Sequence, residues 1–260
     1  MRRSTATANS STWTRKSRWT KTSWTRASRS CCRRQHRRRS PPNETQVRVL
    51  PARVAEPAVV LDGARNHDPR GAVRMNFERL LTGLPVAPLA AALADSPEWW
   101  QRITTRQDFL GSPHEGTETI FLRGPLDFTL EEYFGETYAA DYPELAAVID
   151  ELMPIVRPLL QAIEWKELGR MLLVRMPPGV ALDEHTDEGA YAEHYSRFHI
   201  PLATNGQCEL VVNGQPQHMQ AGEAWWFNHR APHSAHNMGE TERVHLIVDA
   251  VSPMFRPKSP

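Results

Sequence analysis

His185-Thr186-Asp187 offers two metal-binding side chains with one residue between them. On an extended segment that spacing puts both on one face. A third ligand must come from a distant strand. His233, in Ala231-Pro232-His233-Ser234, is one candidate, and His229 and His236 are its rivals. Two imidazoles and one carboxylate form a facial set that leaves coordination positions open on ferrous iron. Arg243 follows His233 by ten residues and opens the β-rich run 243–248. A guanidinium there can hold a carboxylate through a bidentate fork. Together these groups suit an oxygenase that takes 2-oxoglutarate as cosubstrate. A histidine and an aspartate one residue apart are common by chance, and the chain has eleven histidines. The weight therefore rests on the whole constellation.

The elements that must position these residues read mainly as β. Residues 170–176 form a strand by composition, stopped by Pro177-Pro178-Gly179. Residues 197–251 read as a run of short strands. Within it Asn213-Gly214 fits a type I′ hairpin turn between 209–212 and 215–219. Gly222-Glu223 is a further turn before the strand 224–227, and Arg243–Asp249 is the last strand. Many short antiparallel strands joined by tight turns indicate a sandwich or jelly roll.

Upstream, Phe77, Leu80, Leu81 and Leu84 recur at helical spacing, and 89–94 reads as a second helix. Ser96 and Pro97 suit the start of a third short helix leading into Trp99 and Trp100, which read as core anchors. Residues 117–123 read as a strand, and Gly111-Ser112-Pro113-His114 as a turn before it. Asp141 is a plausible cap for a helix in which apolar residues recur from Leu145 to Leu160, with Pro154 and Pro158 expected to kink or split it. That helix should pack across one face of the sheet. Trp225 and Trp226 should pack the barrel wall.

The formal net charge of +1 conceals a division. Residues 1–40 hold thirteen of the 31 Lys and Arg and no acidic residue. The remainder is net acidic, which speaks against a nucleic-acid partner. Residues 1–46 read as a disordered basic Ser/Thr/Arg-rich extension, because such a composition cannot offset its ordering entropy. A transit peptide, or an RNA-binding tail using Trp13, Trp19 and Trp24, fits the same composition less well. The folded domain is expected over 47–251, with its catalytic core at 168–251, and 252–260 as a frayed tail. No apolar run approaches the roughly 18 residues of a membrane span, so no membrane partner is expected. Cys31, Cys32 and Cys208 make neither a disulfide framework nor a spaced zinc site. A reducing cytoplasm suits them and keeps iron ferrous.

The segments HTD, YSRFHIPLAT, HMQAGEAWWFNHRAPHSAHN and ERVHLIVD together resemble the aspartyl/asparaginyl β-hydroxylase family of iron(II)- and 2-oxoglutarate-dependent dioxygenases. The resemblance is strongest over 168–251 and extends more weakly back to about residue 75. It implies a double-stranded β-helix, a jelly-roll or cupin-like core with flanking helices. It implies Fe(II), 2-oxoglutarate and O2 as the reactive set. It selects His185, Asp187 and His233 as metal ligands, since Pro-His-Ser followed by an arginine ten residues on matches the family pattern. Arg243 would pair with the distal carboxylate of 2-oxoglutarate, and His199 would touch the cosubstrate. Arg197 would bind a substrate carboxylate, with Arg123, Arg106 and His114 as weaker substrate contacts. His229 and His236 become surface or supporting groups, while Arg175, His194 and His245 stay unranked.

The implied reaction hydroxylates an unactivated C–H bond of an amino acid or amino-acid-derived small molecule. It couples this to oxidative decarboxylation of 2-oxoglutarate to succinate and CO2. Asp187 favours hydroxylation over halogenation, because related halogenases use a vacancy at that position for halide. A peptide- or carrier-bound substrate is the alternative, and a non-catalytic cupin-like binding module is the rival from another class. The chain lacks a tetratricopeptide-like repeat region for recruiting a protein, which favours small molecules.

Overall fold

The computed structural model describes residues 58–59, 75–94, 99–100, 103–109, 111–125, 129–135, 138–142 and 146–256. The expectations for 1–46, for the start of the folded domain at 47–57, for the cap at 96–97 and for the last four residues lie outside them.

Two antiparallel sheets face one another. The larger contains β1 (Ala58–Val59), β2 (Phe77–Thr82), β3 (Glu118–Gly124), β4 (Ala140–Asp141), β5 (Glu167–Met176), β7 (Ser196–Ala203), β10 (Ala224–Phe227) and β12 (Arg243–Val251). Their spatial order is β1-β2-β10-β7-β12-β5-β3-β4. The smaller contains β6 (Ala181–His185), β8 (Cys208–Val212), β9 (Gln215–Gln217) and β11 (His233–Asn237), in the order β6-β11-β8-β9. The helices are α1 (Ala87–Ala94), α2 (Thr105–Asp108), α3 (Leu130–Gly135), α4 (Ala146–Ala162) and α5 (Gly189–His194). This is the mainly β, jelly-roll architecture that the strand and turn pattern predicts. Among the described residues no helix is long and apolar enough to cross a membrane.

Strand periodicity divides the large sheet into two working faces. Phe198, Ile200 and Leu202 of β7 point one way, with Val244, Leu246 and Val248 of β12 and Met171 and Leu173 of β5. They form the main core with α1 and α4, through Leu89, Leu152, Ile155, Val156 and Leu159. The alternate residues turn toward the small sheet. There Met176, Trp225 and Phe227 pack with Leu210, Val212 and Ala235 in a second cluster.

Several local expectations hold. Asn213 and Gly214 take φ of 50° and 73°, as a type I′ turn requires. Trp100, Trp225 and Trp226 are buried. The helix expected from about 145 runs over Ala146–Ala162 with both prolines inside it, so they do not split it.

Two expectations are corrected. Residues 77–82 form strand β2, not a helix, because they pair with β10 through Phe77↔Phe227 and Glu78↔Trp226. A short apolar run fits either period, and the available sheet edge decided it. Asp141 lies in β4 and accepts from Arg123 at 2.8 Å, and residues 143–145, which it was expected to cap, lie outside the described ones. The start of the tail is docked, not frayed. The Ser252 hydroxyl donates to the Ile163 carbonyl at 2.6 Å, and buried Phe255 packs on Phe198 and Trp226.

Candidate metal centre

His185 ends β6 and His233 begins β11, and the two are direct partners in the antiparallel ladder. Their ring centroids are 4.3 Å apart. Asp187 lies two residues beyond β6, where its backbone N–H donates to the His229 carbonyl at 3.1 Å. The ligand atoms of His185, Asp187 and His233 all lie within 4.8 Å of one another.

The hydrogen bonds around the imidazoles fit a cation. His185 Nδ1 is 2.8 Å from the Asp183 carbonyl, and His233 Nδ1 is 2.9 Å from the Ala231 carbonyl. A carbonyl can only accept, so each Nδ1 carries a proton, and in the neutral ring Nε2 then keeps its lone pair. Burial pushes the His233 imidazole down to about 4, which keeps it neutral at physiological pH. Burial would raise the Asp187 carboxyl, but the Arg197 guanidinium beside it overcomes that and holds the group ionised. Two imidazole nitrogens and one carboxylate are the donor set that a facial iron(II) site needs.

The inward face of the large sheet supplies the surrounding cations. Arg197 donates to Asp187 Oδ2 at 2.6 Å from one side of its guanidinium. From the other it grips Asp249, Nε to Oδ1 at 2.9 Å and Nη2 to Oδ2 at 3.1 Å. Arg197 and Asp249 are register partners on β7 and β12. Burial disfavours the Arg197 charge, but the two carboxylates outweigh it and hold the group protonated. The Tyr191 hydroxyl, from α5, also donates to Asp249, at 3.1 Å.

Arg243 differs in kind. It is 4% exposed, yet its hydrogen-bond partners are the Met176 sulfur at 3.0 Å and His245 Nδ1 at 3.2 Å. Among the described residues it has no carboxylate partner. Burial pushes it down to about 10, still protonated at neutral pH. A desolvated cation without an anion is costly, so the site suits a ligand carboxylate. His199 sits beside it, with Nδ1 at 3.3 Å from His245 Nδ1 and a buried Nε2 that has no partner. Burial, then Arg243, holds both His199 and His245 well below the usual imidazole range. A narrow cavity joins Arg243 and His199 to His185 and His233.

On the other side of the metal ligands is a larger cavity of about 230 Å³. His185, Asp187 and Arg197 line it, and so do His114, Tyr133, Arg170 and Tyr191. His114 meets His185 edge-on at 5.1 Å, and its buried Nδ1 has no partner. Arg106 is buried between the cavities and reaches Thr119 Oγ1 at 3.5 Å. Arg123 is placed elsewhere. It pairs with Asp141 and lines neither cavity.

Of the remaining histidines, His229 is buried and its Nε2 meets the Ala192 carbonyl at 3.0 Å, while His236 stands 3.5 Å from Glu209. His229 therefore braces the Asp187 segment from both its backbone and its ring. Arg170, Tyr191 and Asp249 were not singled out by sequence reasoning. Only the strand register links Asp249 to Arg197, and only the tertiary fold brings α5 and β5 to the cavity.

A double-stranded β-helix with a His–Asp–His cluster between its sheets is the class that the fold and site define. Residues 131–253 match the family model described as Aspartyl/Asparaginyl beta-hydroxylase, so the resemblance carried by the motifs is borne out over that stretch. The chain is 27% identical over 114 residues to L-proline cis-4-hydroxylase from Rhizobium meliloti (strain 1021). That alignment covers 44% of this chain and 41% of the relative, so the chain spans under half of that protein's length. Among solved structures, an oxidoreductase of the 2OG-Fe(II) oxygenase family from Burkholderia pseudomallei matches at a TM-score of 0.42 and 14% identity, over 67% of this chain and 93% of that one. A Cupin 2 conserved barrel domain protein from Salinispora arenicola CNS-205 matches at 0.25 and 21%, over 33% and 65%.

Proposed function

We propose that the chain is an Fe(II)- and 2-oxoglutarate-dependent hydroxylase of an amino acid or amino-acid-derived small molecule. One juxtaposition carries this reading. Three ligand groups with their free lone pairs converged stand beside Arg243, a buried cation with no anion of its own. The similarity to a proline hydroxylase supports it and favours a free amino acid over a peptide-bound residue.

In this reading His185 Nε2, His233 Nε2 and an Asp187 oxygen hold iron. When bound, iron with 2-oxoglutarate and O2 supplies the oxidising power for hydroxylation, and succinate and CO2 leave. Arg243 fixes the distal carboxylate of 2-oxoglutarate, and His199 lines the same pocket. Arg197 orients Asp187 by holding Oδ2. Asp249 in turn keeps Arg197 in place. The larger cavity receives the substrate, and its tyrosine, phenylalanine and proline side chains exclude water from the reacting C–H bond.

The test needs no substrate. Under anaerobic conditions, Fe(II) followed by 2-oxoglutarate should give a visible metal-to-ligand charge-transfer band. His233→Ala should remove the band. Arg243→Ala should remove it at limiting 2-oxoglutarate and restore it only at a large excess. Iron binding without the band would replace this reading with a cupin of other chemistry.

A further inference from the structure

We infer that Arg170 is the carboxylate-binding group of the larger cavity, and that the cavity therefore takes a free α-amino acid. This rests on the hydroxylase reading above and assigns the end of the substrate that reading leaves open.

Arg170 is 3% exposed and lines the cavity that also contains His185 and Asp187. Its guanidinium lies 3.7 Å from the Tyr191 ring centroid and 4.5 Å from that of Tyr133. Contact with two aromatic faces fixes the plane of the group. One Nη donates to the Tyr133 carbonyl. Nε is buried and has no partner. Among the described residues no carboxylate lies within ion-pair distance of Arg170. A buried guanidinium without an anion is costly, and a ligand carboxylate removes that cost.

The surroundings hold this arginine in place. The Tyr191 hydroxyl accepts the Arg170 backbone N–H at 2.7 Å and donates to Asp249. Gly169 makes room for that contact, since a Cβ there would lie 2.7 Å from the Tyr191 oxygen.

The other arginines near the metal site are less suited. Arg197 lines the same cavity, but three of its nitrogens already serve Asp187 and Asp249. Arg106 lines the narrow cavity with Arg243 instead.

The chemistry then selects the substrate class. A residue inside a peptide has its carboxyl group tied up as an amide and offers no anion to Arg170. Among the described residues, Glu188 is the one carboxylate lining this cavity besides Asp187, and it can receive an ammonium group. Phe109, Pro113 and Ala192 supply apolar wall between them. About 230 Å³ falls below the roughly 300–1,000 Å³ of drug-sized sites, which suits a single amino acid.

The experiment starts from anaerobic protein carrying Fe(II) and 2-oxoglutarate. Each of the proteinogenic L-amino acids and its α-carboxamide is then titrated against the charge-transfer band. At least one amino acid should perturb the band, and its carboxamide should bind at least about 30-fold more weakly. Arg170→Gln should weaken the acid by a similar factor and bring acid and amide level, while the band formed with 2-oxoglutarate alone persists. Arg170→Lys should recover part of the loss.

Equal binding of acid and amide by wild type, undiminished binding by Arg170→Gln, or no response to any amino acid overturns the inference. Should Arg170→Gln fail to give the starting band, the wild-type acid and amide pair and Arg170→Lys decide. A wild-type protein that forms no band before any amino acid is added sinks the hydroxylase reading itself, and that failure is distinct.

Discussion

The two faces of the large sheet are built from consecutive residues of the same strands, yet they do different work. The outward face of β7 and β12 presents Phe198, Ile200, Leu202, Val244, Leu246 and Val248 to α1 and α4. The inward face presents Arg197, His199, Arg243 and His245 to the narrow cavity and Asp249 to Arg197. Period-two geometry lets one strand anchor the core and carry charge without compromise. The outward face is satisfied as it stands. The inward face is only partly so. Arg197 has its carboxylates, whereas Arg243 and Arg170 have none among the described residues. Burial of unpaired cations marks where ligands complete the fold.

That contrast can be attacked in order of expected effect. Asp249→Ala should be the most damaging, at about 3–5 kcal/mol, because it leaves Arg197 buried with one carboxylate and strips Tyr191 of its acceptor. Chemical denaturation measures it. A loss under 1 kcal/mol would show that the inward network contributes no stability. Leu246→Ala on the outward face should cost about 2–5 kcal/mol by leaving a cavity in a fully buried site. The molecules that remain folded should bind Fe(II) with unchanged affinity, and altered affinity would mean that the two faces are not separable.

The smallest effect has the opposite sign. Arg243→Met should stabilise the ligand-free protein by up to about 1–4 kcal/mol, since it replaces an unpaired buried cation with an apolar group of similar length. The same variant should form no charge-transfer band at limiting 2-oxoglutarate. A destabilised ligand-free variant would show that Arg243 is already satisfied without a ligand.

Much of this was legible in the sequence. The Asn213-Gly214 hairpin, the strands at 170–176, 224–227 and 243–249, and the jelly-roll class followed from turn chemistry and β composition. Residue types and spacing pointed to His185, Asp187 and Arg243, and the family resemblance selected His233 from its rivals; the fold gathers these groups between its sheets. The segment 77–84 was misread because its apolar spacing is compatible with both periods, and pairing with β10 settled it. Arg123 and Arg106 looked alike as isolated arginines. One turned out to be paired with Asp141 and the other buried beside the site.

Local rules determined the ligand types and their spacing, because a one-residue gap, a Pro-His turn and a β-former run act within a few residues. The tertiary structure decided which charges are answered and which are left waiting. Asp249 reaches Arg197 only through the β7–β12 register, and His185 meets His233 only through the β6–β11 register. Arg170 becomes a site only because α3 and α5 bring two tyrosine rings to its guanidinium and, among the described residues, no carboxylate. Pairing of that kind depends on residues tens of positions apart, and no local period in the chain encodes it.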